Sequence, residues 1–190
     1  MMIGKNRNIK KLLTFIPENS EGVEIGVWKG ETSKLFLKKT KLLHLVDPWS
    51  ADVYKGDNEN GNFDDYLNKY SRLVGSNKEK DFNNYYENVY ENVKNRFSQC
   101  EVKIYRETST SFFSHFKNKV DWIYIDGSHF YKDVLLDLQN SYNIIKKNGL
   151  LAGDDYWSVK PGVMKAVDKF ATDYNLKLQI IGENQFLFKL

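Results

Sequence analysis

One short apolar run after another in this sequence ends on a carboxylate or a glycine. "VEIG" stops at Gly26, "LLHLVD" at Asp47, "DWIYID" at Asp126, and "LLAGDD" at Asp154 and Asp155. Runs of this length, separated by stretches with helical spacing, read as strands buried on both faces. Strands alternating with helices predict a parallel sheet covered on both sides. A buried strand that ends on an acid delivers it to the C-terminal edge of the sheet, where ligands of such sheets bind. The same pattern therefore constrains both the fold and the place where chemistry would happen.

Further strands are expected over 101–107 ("EVKIYRE") and as a closing hairpin, "LKLQII" and "QFLFKL", joined through "GENQ". The first strand is read as 22–27, the second as 41–47, the fourth as 120–126 and the fifth as 149–154. Helices are expected from Asn8 to Phe15, over 30–40 and 85–97, and from Ser109, read as an N-cap. Two more follow: 131–147, halted by Asn148-Gly149, and one opened by Pro161. Between residues 50 and 83 the pattern breaks into "KGDNENGN" and "GSNKEKDFNN", with Tyr54, Phe63, Tyr66 and Tyr70 interleaved. A connector this long is functional or unstructured. It reads as a lid over a pocket, with a plain flexible insertion as the alternative.

The chain reads as one domain over residues 1–190. With 41% hydrophobic and 28% charged residues it has the composition of a globular protein. The net charge of +3 is spread over scattered lysines with no basic stripe, so a nucleic-acid partner is not expected. A single cysteine, Cys100, excludes an internal disulfide and fits a reducing compartment. No apolar run approaches a membrane span, and the N-terminal apolar patch is too short for a leader, so a cytoplasmic location is expected.

The strand ends carry the chemistry. In "VEIGVWKGETS", Gly26 and Gly30 flank a tight turn into a helix, where a ligand can approach the backbone. The pattern is neither G-x-G-x-x-G nor a P-loop, and Glu24 would repel a phosphate. The turn suits a cationic or zwitterionic ligand, or is a turn without one. Asp47 in "HLVDPW" lies where doubly wound sheets grip ribose hydroxyls, and Trp49 offers a face to a base. Alone, an Asp before Pro is ordinary turn chemistry. Asp126, Asp154 and Asp155 should converge, and three carboxylates repel unless a cation such as Mg²⁺ or Ca²⁺ holds them. Alternatively these acids only cap turns and accept backbone N–H groups. His129, three residues past Asp126, stands where an imidazole could take a proton, or is a surface histidine. His44 reads as packing within a strand and His115 as a partner for its helix dipole.

Taken together, "VEIGVWKGETS", "VDPW", "YIDGSHFY", "GLLAGDDYW" and "GVMKAVDKF" resemble the class I S-adenosylmethionine-dependent methyltransferases. The nearest likeness is to the macrocin O-methyltransferase (TylF-like) and Methyltransf_24 type, with catechol O-methyltransferases more distant. The resemblance implies a Rossmann-like, doubly wound α/β sheet of seven strands, mostly parallel with an antiparallel last strand. It implies that Glu24, Gly26 and Gly30 shape the methionine end of the cofactor. Thr32 would reach its carboxylate, Asp47 its ribose, and Ser109 its adenine side. Asp126, Asp154 and Asp155 match the divalent-metal site of metal-dependent members, with Asp126 also next to the cofactor and the reaction. His129 falls where catechol-type enzymes carry a basic lysine, while Ser128 stands where macrocin-like members place an acid. The implied activity is Mg²⁺-dependent methyl transfer to a hydroxyl of a small molecule, sugar-bearing ones among the candidates, with a second copy packed on the aromatic insertion as an open expectation. Three rivals stand beside it. One is a nicotinamide-dependent reductase, against which the few glycines of "GVWKGETS" count. Another is a methyltransferase acting on a macromolecule, although "DGSH" replaces the "NPPY" of base N-methylation. The third is a cofactor-binding module without transfer.

Overall fold

The computed structural model describes residues 9–55 and 62–190. The apolar runs form strands β1 (Ser20–Ile25), β2 (Thr40–Val46), β3 (Val102–Tyr105), β4 (Val120–Ile125), β5 (Ile145–Gly153), β6 (Gln179–Ile181) and β7 (Gln185–Lys189). The helices are α1 (Ser33–Phe36), α2 (Phe63–Val74), α3 (Glu79–Arg96), α4 (Ser109–His115), α5 (Tyr131–Ile144) and α6 (Pro161–Asp173), with a 3₁₀ turn at Ala51–Tyr54. The strands make one sheet in the order β3-β2-β1-β4-β5-β7-β6. β1, β2, β3, β4 and β5 pair in parallel, while β7 runs antiparallel to both β5 and β6. This is the doubly wound, seven-stranded Rossmann-like architecture expected from the sequence. Strand order reverses between β1 and β4, the point at which such sheets open a crevice.

Each face of the sheet has its own core. Ile25, Ile123, Ile125, Leu151 and Phe186 pack under α4, α5 and α6. Leu43, Leu45, Trp122, Tyr124 and Leu187 pack under the N-terminal helical residues 9–12, α1 and α3. In α6 the buried positions Val163, Ala166, Val167 and Phe170 fall at i, i+3, i+4 and i+7, the stripe a helix needs to lie on a sheet. Register between β1 and β4 is fixed by size: Gly22 pairs with Trp122, and a Cβ at Gly22 would stand 2.1 Å from the indole. The indole N–H donates to Ser20 Oγ at 3.0 Å.

Several elements differ from their sequence reading. The helix expected over 30–40 is regular only over Ser33–Phe36. α5 ends at Ile144, because Ile145 already pairs with Val120 in the sheet. The N-cap of α4 is Thr108, whose hydroxyl accepts from Ser111 N at 3.2 Å, and not Ser109. Ser109 instead hydrogen-bonds Asp137. Within the insertion, α2 opens with a reciprocal Asn62–Asp65 capping box and closes on Gly75 at φ 83. α3 starts at Glu79, ahead of the expected 85, because Phe82 joins Ala51 and Leu67 in a third small core. The leader reading and the start of the first helix rest on residues 1–8, and part of "KGDNENGN" on 56–61, all outside the described residues. Among the described residues no helix is long and apolar enough to cross a membrane.

One buried charge stands out in α5. Asp137 is 3% exposed, and burial pushes its carboxyl up to about 7; the Ser109 hydrogen bond opposes the rise and Asp133 adds to it. An acid whose folded value lies above its unfolded value penalises the folded state once it must ionise. The penalty is absent below the unfolded value, grows as pH rises from about 4, and is complete above about 7. Asp137→Asn, which can still accept from Ser109, should therefore raise stability by at least about 1 kcal/mol near pH 8 and change it little near pH 4, since a tenfold change in acidity corresponds to about 1.4 kcal/mol. Urea denaturation at both pH values checks this.

Candidate active site at the β1–β4 crossing

The ladder of backbone hydrogen bonds runs past the strand ends and draws the predicted residues into one row. Gly26 N donates to Val46 O at 2.9 Å, Asp47 N to Tyr105 O at 3.2 Å, Asp126 N to Ile25 O at 2.7 Å, and Asp154 N to Ile125 O at 3.0 Å. Gly26 has φ 85, and a Cβ there would stand 2.2 Å from Asp126 O. Only glycine permits both that backbone conformation and so close an approach of the two loops.

On the β2 side, Asp47 organises the loops. Its Oδ2 accepts from Val27 N and Trp28 N, each at 2.9 Å, and its Oδ1 from Trp49 N at 2.7 Å. Burial pushes this carboxyl up, and the three N–H donors draw it back down. Three of roughly four acceptor positions on the carboxylate are thus filled. The bonds hold two bulky residues in left-handed backbone, Trp28 at φ 48 and Trp49 at φ 40, a conformation that costs on the order of 1–3 kcal/mol each. Trp49 is 1% exposed, donates its indole N–H to Trp28 O at 2.8 Å and packs on Tyr90. The structure thus seats Trp49 in the core, with no face open to a base, while Trp28 is exposed.

On the β1 side, Glu24 is fully buried and accepts from Ser33 Oγ at 2.5 Å. Thr32 opens α1 with no side-chain cap bond. Ser33 was not singled out by the sequence reading; its signal is a polar residue sharing the buried helix face of Phe36, three positions on. Gly30 lies against Phe97, 2.6 Å from where its Cβ would be. Ser109 is committed to Asp137. α3 holds both loops from outside: Arg96 Nη1 bonds Lys29 O at 2.5 Å and Glu31 Oε1 at 2.7 Å. Just past β3, Arg106 pairs with Glu87 at 2.6 Å and lies over Tyr90.

The aromatic residues of the insertion gather near Asp47. Tyr54 stacks on Tyr66 at 3.9 Å, Phe63 and Tyr70 flank Tyr66, and the Tyr66 and Tyr86 hydroxyls are 2.6 Å apart. Burial pushes the Tyr54 and Tyr86 phenols up, and the charge of Asp47 adds to it, which places both within its electrostatic reach.

On the β4–β5 side a small cavity has a polar wall of Asp126, Ser128, His129, Asp154 and Asp155 over an apolar floor that includes Val134, Val163 and Phe186. His129 Nε2 lies 2.6 Å from Asp155 Oδ2, and Asp155 sits at φ 64. Ser128 Oγ donates to Asp133 at 2.7 Å and accepts from Phe130 N at 3.2 Å, which fixes the 127–130 loop. The expected acids therefore share a cavity. Among the described residues, however, no three His, Cys, Asp or Glu side chains form a group that could hold a metal ion. Asp155, an expected ligand, is turned to His129 instead. As folded, these side chains are not drawn together as a ligand set. His44 is buried between Glu21 and Tyr105, and burial lowers its pKa; the His115 ring is 2.9 Å from Glu107.

Comparison with known proteins defines the class. A family model described as a methyltransferase domain, Methyltransf_24, matches residues 23–156, more than two thirds of the chain, and the chain belongs to that family. With the fold described above, this makes it a class I S-adenosylmethionine-dependent methyltransferase. A protein of Acanthamoeba polyphaga mimivirus is 29% identical over 181 residues, covering 89% of this chain and 70% of its own length. A methyltransferase structure from Streptococcus mutans, solved in complex with SAH, superposes with a TM-score of 0.62 at 9% identity, over 98% of this chain and 97% of that one. The O-methyltransferase NovP superposes with a TM-score of 0.56 at 17% identity, over 96% of this chain and 76% of NovP. An rRNA methylase from Streptococcus thermophilus shares the fold too, at a TM-score of 0.60 and 10% identity, over 98% and 95%. At these identities the structural likeness speaks for the fold alone.

Because Asp47 anchors three backbone N–H groups, Asp47→Ala should destabilise the ligand-free protein by about 1–3 kcal/mol, the range for buried donors left without partners. A thermal or urea melt without cofactor measures this. A residue that only touched a ligand would leave the melt unchanged.

Proposed function

We propose that this methyltransferase transfers the methyl group of S-adenosylmethionine to a hydroxyl of a small molecule, with His129 as the base. The observation that carries the reading is the His129–Asp155 pair in a cavity one strand away from the crevice at Gly26. The site suits a cationic cofactor: the carboxyl groups of Asp126, Asp154 and Asp155 line that cavity, and Glu24 and Asp47 stand at neighbouring strand ends. Asp47 keeps an acceptor position for a ribose hydroxyl beside the loop it already holds. In this reading Gly26, Gly30 and Thr32 border the methionine end, and the tyrosine cluster near Asp47 covers the nucleoside end as a lid.

When bound, the cofactor supplies a methyl group on a positively charged sulfur, already electrophilic. The protein's task is then to orient an acceptor oxygen and remove its proton. With Nε2 turned to Asp155, the His129 proton resides on that side and Nδ1 is left to take the proton of the acceptor hydroxyl. Asp155 orients the ring and stabilises the imidazolium that forms, leaving the acceptor oxygen anionic; the bound cofactor would supply the methyl group, its sulfur–methyl bond breaking as the oxygen–methyl bond forms and S-adenosylhomocysteine leaving. Val134, Val163 and Phe186 keep water from the floor of the cavity. The scheme routes no step through the Mg²⁺ expected from the sequence, as among the described residues these carboxylates are not gathered into a ligand set.

Calorimetry with S-adenosylmethionine and a turnover assay on a panel of small hydroxyl compounds test the proposal. His129→Gln and Asp155→Asn should each lower kcat by about 10²–10⁴, the usual contribution of general base catalysis, with cofactor affinity held within about twofold in His129→Gln. A chelator should leave turnover unchanged; a large loss restored by Mg²⁺ would return the acids to a metal role. Cofactor binding with no transfer to any hydroxyl compound, or transfer only to RNA, would overturn the reading.

A further inference from the structure

We infer that helix α6 sets the geometry of the His129–Asp155 pair and that Gly162, at its second position, is a positioning residue for His129; the inference rests on the base role proposed above. A Cβ at Gly162 would stand 2.4 Å from His129 O and 3.0 Å from Tyr131 N. The first turn of α6 therefore lies directly on the backbone of the loop that carries His129. The obstruction is backbone, which cannot swing aside as a flexible side chain would. The next residue, Val163, lines the same cavity as His129.

Asp155 is referenced to the same helix from the other side. Its loop folds back through Trp157 N to Asp155 O and Lys160 N to Trp157 O, both at 2.9 Å, and enters α6 at Pro161. Tyr156, the neighbour of Asp155, donates its hydroxyl to Asp168 Oδ1 on α6 at 2.8 Å. One partner of the pair is thus placed by the close packing of Gly162 and the other by the Tyr156–Asp168 bond, so α6 fixes the 2.6 Å between them. A methyl group at position 162 would force the His129 loop away from α6 and leave Asp155 behind. A misplacement of about 1 Å at a reacting group can cost 10²-fold in rate.

The test is a double-mutant cycle joined to a spectroscopic readout. Gly162→Ala should lower kcat by about tenfold or more with the cofactor KM within twofold, and should add nothing in a His129→Gln background. In ¹⁵N-histidine spectra, the ring signals that His129→Gln removes should shift in Gly162→Ala. An effect of undiminished size in the His129→Gln background, or ring signals that stay in place, overturns the inference. Should Gly162→Ala fail to fold, Tyr156→Phe, which removes only the hydroxyl bonded to Asp168, is put through the same cycle and spectra with the same criteria. Full turnover in His129→Gln alone would sink the base reading, while the ring shifts would still decide the placement by α6.

Discussion

The close crossing of the segments after β1 and β4 governs the rest of this structure. Gly26 and Asp126 meet backbone to backbone, and the pairing of Gly22 with Trp122 sets the register that brings them together. Because strand order reverses at this point, the loops after β1 and β2 fall on one side and those after β4 and β5 on the other. Every residue to which a role is assigned above is carried by a strand end or a loop leaving this row, or supports one. A slip of one residue between β1 and β4 would turn one strand's side chains to the opposite face, exchange residues between the two cores and part Gly26 from Asp126.

The two sides of the crossing use carboxylates differently. Asp47 is a backbone anchor, saturated by amide donors until one acceptor position is left, and it keeps two tryptophans in a conformation that bulky residues avoid. Asp155 is a side-chain partner, aimed at an imidazole through its own left-handed backbone. Strain thus recurs on both sides, and a side-chain contact holds each of these residues: Asp47 holds Trp28 and Trp49, and His129 holds Asp155. Such over-determination marks sites whose geometry is set before a ligand arrives. α3 and its arginine contacts clasp the first side, and α6 underlies the second.

Much of this was legible in the sequence, for a physical reason. Strands buried on both faces write continuous apolar runs, so the ends of those runs, Gly26, Asp47, Asp126 and Asp154, could be read directly. The antiparallel closing strand was legible from the hairpin signal around "GENQ". What escaped depends on tertiary neighbours. Within the insertion Phe63, Tyr66, Leu67, Tyr70 and Val74 recur at helical spacing, but long polar stretches flank them, and the helices there also rest on a capping box and on aromatic contacts with Phe82 and Tyr86. Trp49 reads as a ligand-facing ring, yet the Asp47 bonds turn it into the core. Ser33, one residue past the expected Thr32, meets Glu24 because the helix phase puts it inward. The packing role of Gly162 is invisible along the chain, since its partner lies more than thirty residues away.

The position of β7 has a bearing on how the chain is made. Among the described residues β6 touches the sheet through β7, and β7 docks on β5, so β7 is a wedge between two strands synthesised before it. Phe186 and Phe188 bring it into the core beneath the β4–β5 loops, and Gln185 reaches Tyr124 at 3.0 Å behind them. A ribosome-bound chain still lacking residues 185–189 could assemble the β3-to-β5 half but would expose the outer edge of β5 and the apolar surface beneath α6. That interval is when a nascent chain of this order would most need a chaperone's cover.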